Sequence, residues 1–90
     1  MTNYNGLPEH MQDAARGYIE EGLHPGGFLL AVLENNLVDA FGRADDVNRV
    51  SLSAWTSWLM WDIPANAWGS KDKIKAYVKA IQEERNVTVN

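Results

Sequence analysis

Hydrophobic side chains near the start of the chain recur at the spacing of one helical face. They are Met11, Ala14, Ala15, Tyr18 and Ile19, which fall at i, i+3, i+4, i+7 and i+8. Pro8 suits the first helical position because proline lacks the N–H group that would be unsatisfied there. Gly22 provides a left-handed C-terminal stop, after which Leu23 can fold back onto the last turn. The pattern predicts a first helix over residues 8–21.

A second apolar segment begins after the Pro25-Gly26-Gly27 turn and is harder to divide. Residues 28–33 are apolar on every side and could form a buried strand, but the turn before them and the periodic, more polar continuation favour helix. That continuation carries Leu37, Val38, Ala40 and Phe41. Between the two halves lie asparagines, whose side chains bond to the backbone and compete with helix interior geometry. We expect two short helices or one kinked helix over residues 27–43, largely buried.

A longer helix is predicted to open at Asp45 and Asp46, because acidic side chains are favoured near the positive end of a helix. The residue before a proline avoids helical geometry, so this helix should end around Pro64. One face of this helix carries Val47, Val50, Ala54, Trp58 and Trp61, flanked by Leu52, Trp55 and Leu59.

The last helix is predicted to begin at Ser70, a favoured capping residue. Its apolar face contains Ile74, Tyr77, Val78 and Ile81, at i, i+3, i+4 and i+7. The chain from Glu84 onward is expected to fray. These patterns predict an all-α fold, a single compact domain over residues 1–90 with four to five helices, an ordered core over about residues 7–84 and frayed termini.

The composition of the 90-residue chain is that of one domain with its own core. Hydrophobic residues make up 46% of it and cysteine is absent, which excludes a disulfide framework and thiolate chemistry. No apolar run approaches the ~20 residues that span a bilayer, and the N-terminal residues lack the basic and apolar regions of a signal peptide. We therefore expect a cytoplasmic protein that has no membrane partner.

Charge is distributed unevenly along the chain, whose formal net charge is −4. Residues 1–69 carry nine acidic side chains against three arginines, whereas residues 70–90 carry five basic against three acidic ones. An acidic body repels phosphate backbones, which disfavours nucleic-acid binding. Lys71, Lys75 and Lys79 recur every four residues and form one basic stripe on the last helix. The stripe is either a solvated face or a contact for an acidic protein surface or a phosphate group.

The sequence contains no grouping of side chains with the spacing of a catalytic or metal site. His10 and His24 lack a second ligand at metal-binding spacing on an inward face, and the serines lack a glycine-flanked nucleophile elbow. His10 and Asp13 are better explained as a solvated pair on a helix. The sequence therefore predicts a protein that is not an enzyme and that has no metal and no cofactor.

The tryptophans are candidate binding residues, because Trp55, Trp58 and Trp61 cannot all point into one small core. We assign Trp55, Trp61 and Trp68 to a binding surface, since exposed aromatic side chains are enriched at interface hot spots and can stack on nucleobases. The alternative remains open that these side chains fill the core and the gaps between helices.

Two polar segments are further candidates. Gly26 and Gly27 precede a helix, where free N–H groups can hold an anion, although a tight corner at the entry to the core also explains them. A series of polar side chains then follows at short spacing, namely Asn35, Asp39, Arg43, Asp45 and Arg49. Arg43 can pair with Asp39, one helical turn earlier. This series is either a polar network at a helix junction or a binding site.

Several motifs occur together in the chain: Pro25-Gly26-Gly27-Phe28-Leu29-x-Ala31-Val32-Leu33-x-Asn35-x-Leu37-x-x-Ala40-Phe41-x-Arg43-Ala44-Asp45, Asn48-Arg49, and Pro64-Ala65-x-x-Trp68-Gly69-Ser70. In this combination the chain resembles a widespread group of short, mostly uncharacterised bacteriophage proteins, over about residues 7–82. Ala67 stands where that group has a cysteine, and Trp61-Asp62 replace a more typical Tyr-Asn. The resemblance implies a phage or prophage accessory gene, and such small proteins commonly bind and inhibit host machinery or host defence.

Three functions follow from these observations. The leading hypothesis is a non-enzymatic phage-encoded binding protein that inhibits a host or antiphage-defence protein. The alternative is a small-molecule sponge that sequesters a nucleotide defence signal through tryptophan stacking, the Gly26-Gly27 helix start and the lysine stripe. Transcriptional control through a helix-turn-helix is disfavoured by the acidic charge. A homodimer is also expected, because a chain this small with an all-round apolar helix exposes apolar surface as a monomer.

Overall fold

The computed structural model describes the backbone of residues 2–89 and the side chains of residues 2–85. Every regular element in that part of the chain is helical, which confirms the predicted all-α fold. The α-helices are α1 (Gln12–Glu21), α2 (Gly27–Leu33), α3 (Leu37–Arg43), α4 (Asp46–Val50), α5 (Leu52–Ser57) and α6 (Lys71–Val89). Short 3₁₀ turns cover Glu9–Met11 and Ala65–Ala67, and a π-helical turn covers Trp58–Asp62.

Helices α1 and α6 pack against each other and bring the two ends of the chain into one core. Helix α1 ends as predicted at Gly22, whose φ of 68° is left-handed, and the Leu23 N–H bonds back to the Gly17 carbonyl at 3.2 Å. The Tyr77 hydroxyl of α6 donates to the Ile19 carbonyl at 2.6 Å. The predicted apolar face of α6 lies against the core through Ile74, Tyr77, Val78 and Ile81.

Helices α2 and α3 form a short hairpin turned by two asparagines. Asn35 adopts a φ of 62°, and the side chain of Asn36 caps α3. Helix α2 is almost wholly buried, as expected of a segment that is apolar on every side. Helix α3 is not, because Leu37 and Val38 are exposed over 68% and 83%. The expectation of a largely buried segment is therefore wrong for α3, which reaches the core only at Ala40.

The long helix predicted after Asp46 is divided into α4 and α5 at Ser51 and widens into the π-helical turn at its end. This division raises the number of α-helices in the described chain to six, above the four to five expected. The face that the sequence pattern outlines is not uniformly buried, because Val50 and Trp61 are exposed over 82% and 76%, whereas the flanking Trp55 is buried. Because the hydrogen bonds of a π-helical turn span five residues, each turn contains more residues than an α-helical turn. Trp61, three positions after the buried Trp58, therefore does not return to the same face.

Aromatic side chains fill the centre of the core. The indole of Trp55 meets the ring of Phe28 at 5.4 Å and that of Trp58 at 5.7 Å, both edge-on. Tyr18 is fully buried beside them, and its hydroxyl donates to the Ala67 carbonyl at 2.7 Å. This bond ties α1 to the connection before α6.

The ends of the chain are more ordered than the pattern predicted. Tyr4 is 5% exposed, so the segment before residue 7, expected to be frayed, contributes to the core. Helix α6 begins as predicted after Ser70, whose hydroxyl accepts from the Lys73 N–H at 3.2 Å, and it continues to Val89. Residue 90, expected to be frayed, lies outside the described residues. Within the described part, no helix, α6 included, combines the length and apolar character needed to cross a membrane.

Candidate functional site

A groove of about 290 Å³ opens where the starts of α1, α2 and α4 meet the end of α3. Its lining comes from all four helix ends and consists of Met11, Ala14, Gly26, Gly27, Phe28, Leu29, Arg43, Asp45 and Asn48. Segments far apart in sequence thus contribute to one concavity that combines an apolar floor with a few polar groups. This is the usual composition of a small-molecule site.

Arg43 is the cationic side chain of the groove. Its Nε lies 3.0 and 3.1 Å from the two carboxylate oxygens of Asp39, one turn earlier in α3, as the sequence predicted. This pair leaves the two Nη groups without a hydrogen-bond partner among the described residues. A Cβ placed on Gly27 would lie 3.0 Å from Nη1 of Arg43. Glycine at position 27 therefore allows the guanidinium to lie against the first backbone turn of α2.

Asn48 is the buried polar side chain of the groove, exposed over only 2%. Its Oδ1 accepts a hydrogen bond from the indole N–H of Trp55 at 3.3 Å. Because an indole can only donate, the amide atom that faces Trp55 must be the oxygen. The structure records no partner for the amide Nδ2 among the described residues, and Nδ2 is not enclosed, since Trp58 Nε1 is the buried side-chain atom that lacks a partner there. Nδ2 can therefore donate to a ligand or a water at the groove.

Asp45 places a carboxylate at the edge of the groove. Its Oδ1 accepts from the Asn48 N–H at 2.7 Å and so caps α4, and its Oδ2 lies 2.9 Å from Nε2 of His10. The backbone bond from Asn48, followed by the bond from His10, holds the pKa of Asp45 below its ordinary range. The sequence pattern paired His10 with Asp13, and the structure pairs it with Asp45 instead. Across residues 2–85, no group of three or more His, Asp or Glu side chains is placed to hold a metal ion.

The backbone at Gly26 and Gly27 completes the set of donors. Gly26 is the N-cap of α2 and no side chain caps this end, so the first N–H groups of α2 have no intrahelical partner. A guanidinium, a side-chain amide and backbone N–H groups thus border one groove. Donors of these kinds complement an anion, and hydrogen bonds from a charged donor are the stronger ones.

The structure separates the tryptophans that the sequence analysis grouped as binding residues. Trp55 is 1% exposed, so the prediction that it contacts a ligand or partner is wrong, and its hydrogen bond supports Asn48 from inside the core. Trp61 is 76% exposed beside the exposed Met60, and it remains a candidate for a contact surface. Trp68 is half-buried against the core. None of these tryptophans lines the groove.

The basic stripe of Lys71, Lys75 and Lys79 is exposed along α6, as its spacing predicted. Lys79 lies 4.0 Å from the carboxylate of Glu83, one turn further on. No described residue of helix α6 lines the groove. The fold therefore does not bring the stripe and the glycine turn into one site, and the stripe has the geometry of a solvated face.

Two polar residues of the groove were not identified as binding residues from the sequence. Arg43 was placed in a series of polar side chains that form either a polar network or a binding site, and its pair with Asp39 is present. Asn48 carried a signal that could have been used, because it falls on the same helical face as Leu52 and Trp55, at i, i+4 and i+7. Burying an asparagine side chain costs free energy unless its polar atoms are hydrogen-bonded. An asparagine on an apolar helical face therefore indicates a residue with a specific role.

A second surface feature is a set of large apolar side chains that remain in solvent. We call it the apolar surface, and it consists of Leu37, Val38 and Phe41 of α3, Val47 and Val50 of α4, and Met60 and Trp61 of the π-helical turn. The guanidinium of Arg49 lies 5.5 Å from the centre of the Phe41 ring. Large contiguous apolar patches mark interaction sites, whereas single exposed apolar side chains are normal on a protein surface.

Comparison with protein-family models, with curated proteins and with solved structures finds no significant match to this chain. The chemistry of the groove and of the apolar surface is therefore the basis on which a function is assigned.

Proposed function

We propose that this protein is a non-enzymatic binding protein that holds a phosphate-bearing nucleotide in the groove and so sequesters it. The observation that carries this proposal is the convergence of the Arg43 guanidinium and the buried Asn48 amide on the glycine backbone at the start of α2. The Nη groups of Arg43 and Nδ2 of Asn48 can donate hydrogen bonds, and phosphate oxygens accept them. Binding rather than catalysis is supported because the one carboxylate that lines the groove, Asp45, is already engaged as the cap of α4.

The size of the groove supports a phosphate with part of its sugar as the enclosed portion of the ligand. Its volume of about 290 Å³ lies at the lower end of small-molecule sites. The base would extend towards the rim, where Met11 and Ala14 offer apolar contact. A local donor set can bind an anion even though the whole chain is acidic, because short-range hydrogen bonds outweigh screened long-range repulsion.

The residues that carry the resemblance to bacteriophage proteins also support this proposal. Gly26, Gly27, Arg43, Asp45 and Asn48 belong to the quoted motifs and line the groove. A phage accessory protein with a nucleotide site would act by withdrawing a nucleotide signal of host defence. This function is the alternative predicted from the sequence, a small-molecule sponge for a nucleotide defence signal. The proposed site differs from that prediction because it includes neither the basic stripe nor the buried Trp55.

Thermal unfolding in the presence of a panel of linear and cyclic nucleotides tests the proposal, because a ligand that binds the folded state raises its Tm. We expect a rise with phosphate-bearing members and none with the matching nucleosides. Arg43→Gln should abolish most of the rise, whereas Lys75→Gln, the same charge change on α6, should leave it intact. A panel that gives no rise at millimolar concentration, or equal rises for nucleosides and nucleotides, contradicts the proposal.

The apolar surface favours a second candidate function, inhibition of a host or antiphage-defence protein by direct binding. Trp61, exposed over 76%, is the observation that favours it, since tryptophans commonly anchor protein interfaces. Native mass spectrometry of the protein recovered from infected cells tests it. We expect a discrete added protein mass that Trp61→Ala removes and Arg43→Gln retains. An added mass of a few hundred daltons that Arg43→Gln removes would favour the nucleotide site instead.

A further inference from the structure

We propose that His10 sets the affinity of the groove for an anion by neutralising Asp45. The inference rests on the proposed nucleotide function, because it concerns the charge of the same groove. Asp45 lines the groove, whereas His10 belongs to the 3₁₀ turn before α1 and reaches Asp45 from outside the lining, with Nε2 2.9 Å from Oδ2. Both side chains are about half exposed, at 46% and 53%, so the imidazole can exchange a proton with solvent.

The carboxylate of Asp45 opposes an anion in the groove unless a positive charge compensates it. The Asn48 N–H, which bonds to Oδ1, and His10 keep the pKa of Asp45 low, so this group stays ionised at neutral pH. A charged imidazole in contact with Oδ2 offsets the negative charge of Asp45, and a neutral imidazole does not. Histidine is the side chain that changes charge between about pH 5 and 8. The groove is therefore more favourable to an anion at the acidic end of that range.

The other charged groups on the helices around Asp45 keep their charges over this range. On α3, Arg43 is paired with Asp39 at 3.0 Å, and on α4, Arg49 is paired with Asp46 at 3.1 Å. Arginine stays protonated throughout, and exposed carboxylates titrate well below pH 5. The charges of these pairs therefore affect the anion affinity of the groove equally at every pH in this range.

The elements before the groove carry a second histidine, His24. Its Nδ1 lies 3.0 Å from the Pro25 carbonyl, and it makes no hydrogen bond with Asp45. On α1, Asp13 lies 3.7 Å from Arg16, an exposed pair whose charges are constant near neutral pH. His24 is therefore the matched control for His10, since it is a histidine on the glycine side of the groove that does not contact Asp45.

An NMR titration with inorganic sulfate separates these effects, because sulfate is a tetrahedral anion whose charge is constant over the range. The side-chain amide of Asn48 reports occupancy of the groove, and affinity is measured at about pH 5.5 and pH 8 with ionic strength held by sodium chloride. We expect wild type to bind sulfate about threefold to fivefold more tightly at the lower pH, the size expected of one half-exposed charge. His10→Gln should bind sulfate at both pH values with the weaker affinity that wild type has at the higher pH.

Two variants complete the test. Asp45→Asn removes the carboxylate charge and keeps an N-cap acceptor for α4, so it should bind as tightly at high pH as wild type does at low pH. His24→Gln should keep the pH dependence of wild type. Equal affinities of wild type at both pH values, or a dependence that His24→Gln removes and His10→Gln keeps, would overturn this inference alone. An Asn48 amide that does not respond to sulfate at either pH would overturn the groove function itself.

Discussion

The indole N–H of Trp55 donates to Oδ1 of Asn48 at 3.3 Å, and this bond connects the centre of the core to the wall of the groove. Trp55 is enclosed between Phe28 and Trp58, so its position is determined by packing. The bond orients the Asn48 amide and leaves Nδ2 for a ligand. Trp55 is thus a positioning residue behind the groove, which differs from the surface role expected from the sequence.

Replacing Trp55 by phenylalanine tests the role of this bond. Trp55→Phe retains an aromatic ring but leaves the buried Oδ1 of Asn48 without a donor, which should lower the free energy of unfolding by about 1–3 kcal/mol beyond the loss of volume. Trp58→Phe is the matched control, because Trp58 is equally buried and its Nε1 has no partner among the described residues. Urea denaturation measures both variants. Equal losses of stability would show that the bond contributes nothing.

A second pair of variants addresses the glycine turn. The new Cβ in Gly27→Ala would lie 3.0 Å from Nη1 of Arg43, and since this is the end of a flexible side chain, the guanidinium should move aside. We expect nucleotide affinity to fall about tenfold, the loss of one charge-assisted hydrogen bond, with little change in Tm. Gly26→Ala meets nothing within 4 Å and should retain affinity. Calorimetric titration and thermal unfolding measure the two quantities, and equal affinities for both variants contradict the assigned geometry.

The exposure of Trp61 predicts that it contributes little to folding. Trp61→Ala should change the free energy of unfolding by no more than about 0.5 kcal/mol, because its side chain is mostly in solvent. Trp58→Ala removes an enclosed indole three positions earlier and should cost about 3–5 kcal/mol. Denaturant unfolding of both variants checks the prediction. A large loss in Trp61→Ala would place that side chain in the core.

Alkaline pH should destabilise the fold through its buried tyrosines. Burial raises the pKa of Tyr18 and of Tyr77 above the ordinary value of 10.0. The unfolded chain therefore loses these protons first, so their contribution is complete below about pH 10 and is lost progressively as pH rises above it. Thermal unfolding from neutral to strongly alkaline pH measures the decline. Tyr18→Phe, which removes the bond to the Ala67 carbonyl, should have a lower Tm at neutral pH but a shallower alkaline decline.

The apolar surface should cause self-association, in agreement with the homodimer expected from the sequence. Light scattering at high protein concentration should give a mass above the 10.1 kDa of one chain. Val38→Asp should shift the protein towards monomer, because Val38 is exposed over 83% and a charge there opposes apolar contact. A mass of one chain over a wide range of concentrations would contradict this prediction.

Local sequence signals determined where most helices begin and end. Gly22 ends α1 because a left-handed residue closes its last turn, and Ser70 precedes α6 because its hydroxyl caps the first turn. Asn36 separates α2 from α3 in the same way. These predictions succeeded because capping depends on backbone geometry within a few residues, and the amino acids present there decide it.

Only the tertiary structure decided which side chains face the core and which meet in the groove. The π-helical turn sends Trp61 into solvent, and no local signal in the sequence marked this change of winding. Arg43, Asn48 and the glycine turn lie on different helices, so their convergence depends on how those helices pack. Helical periodicity predicts one face of one element, whereas a binding site is formed by the faces of several elements, and their relative placement is set by the packing of the whole core.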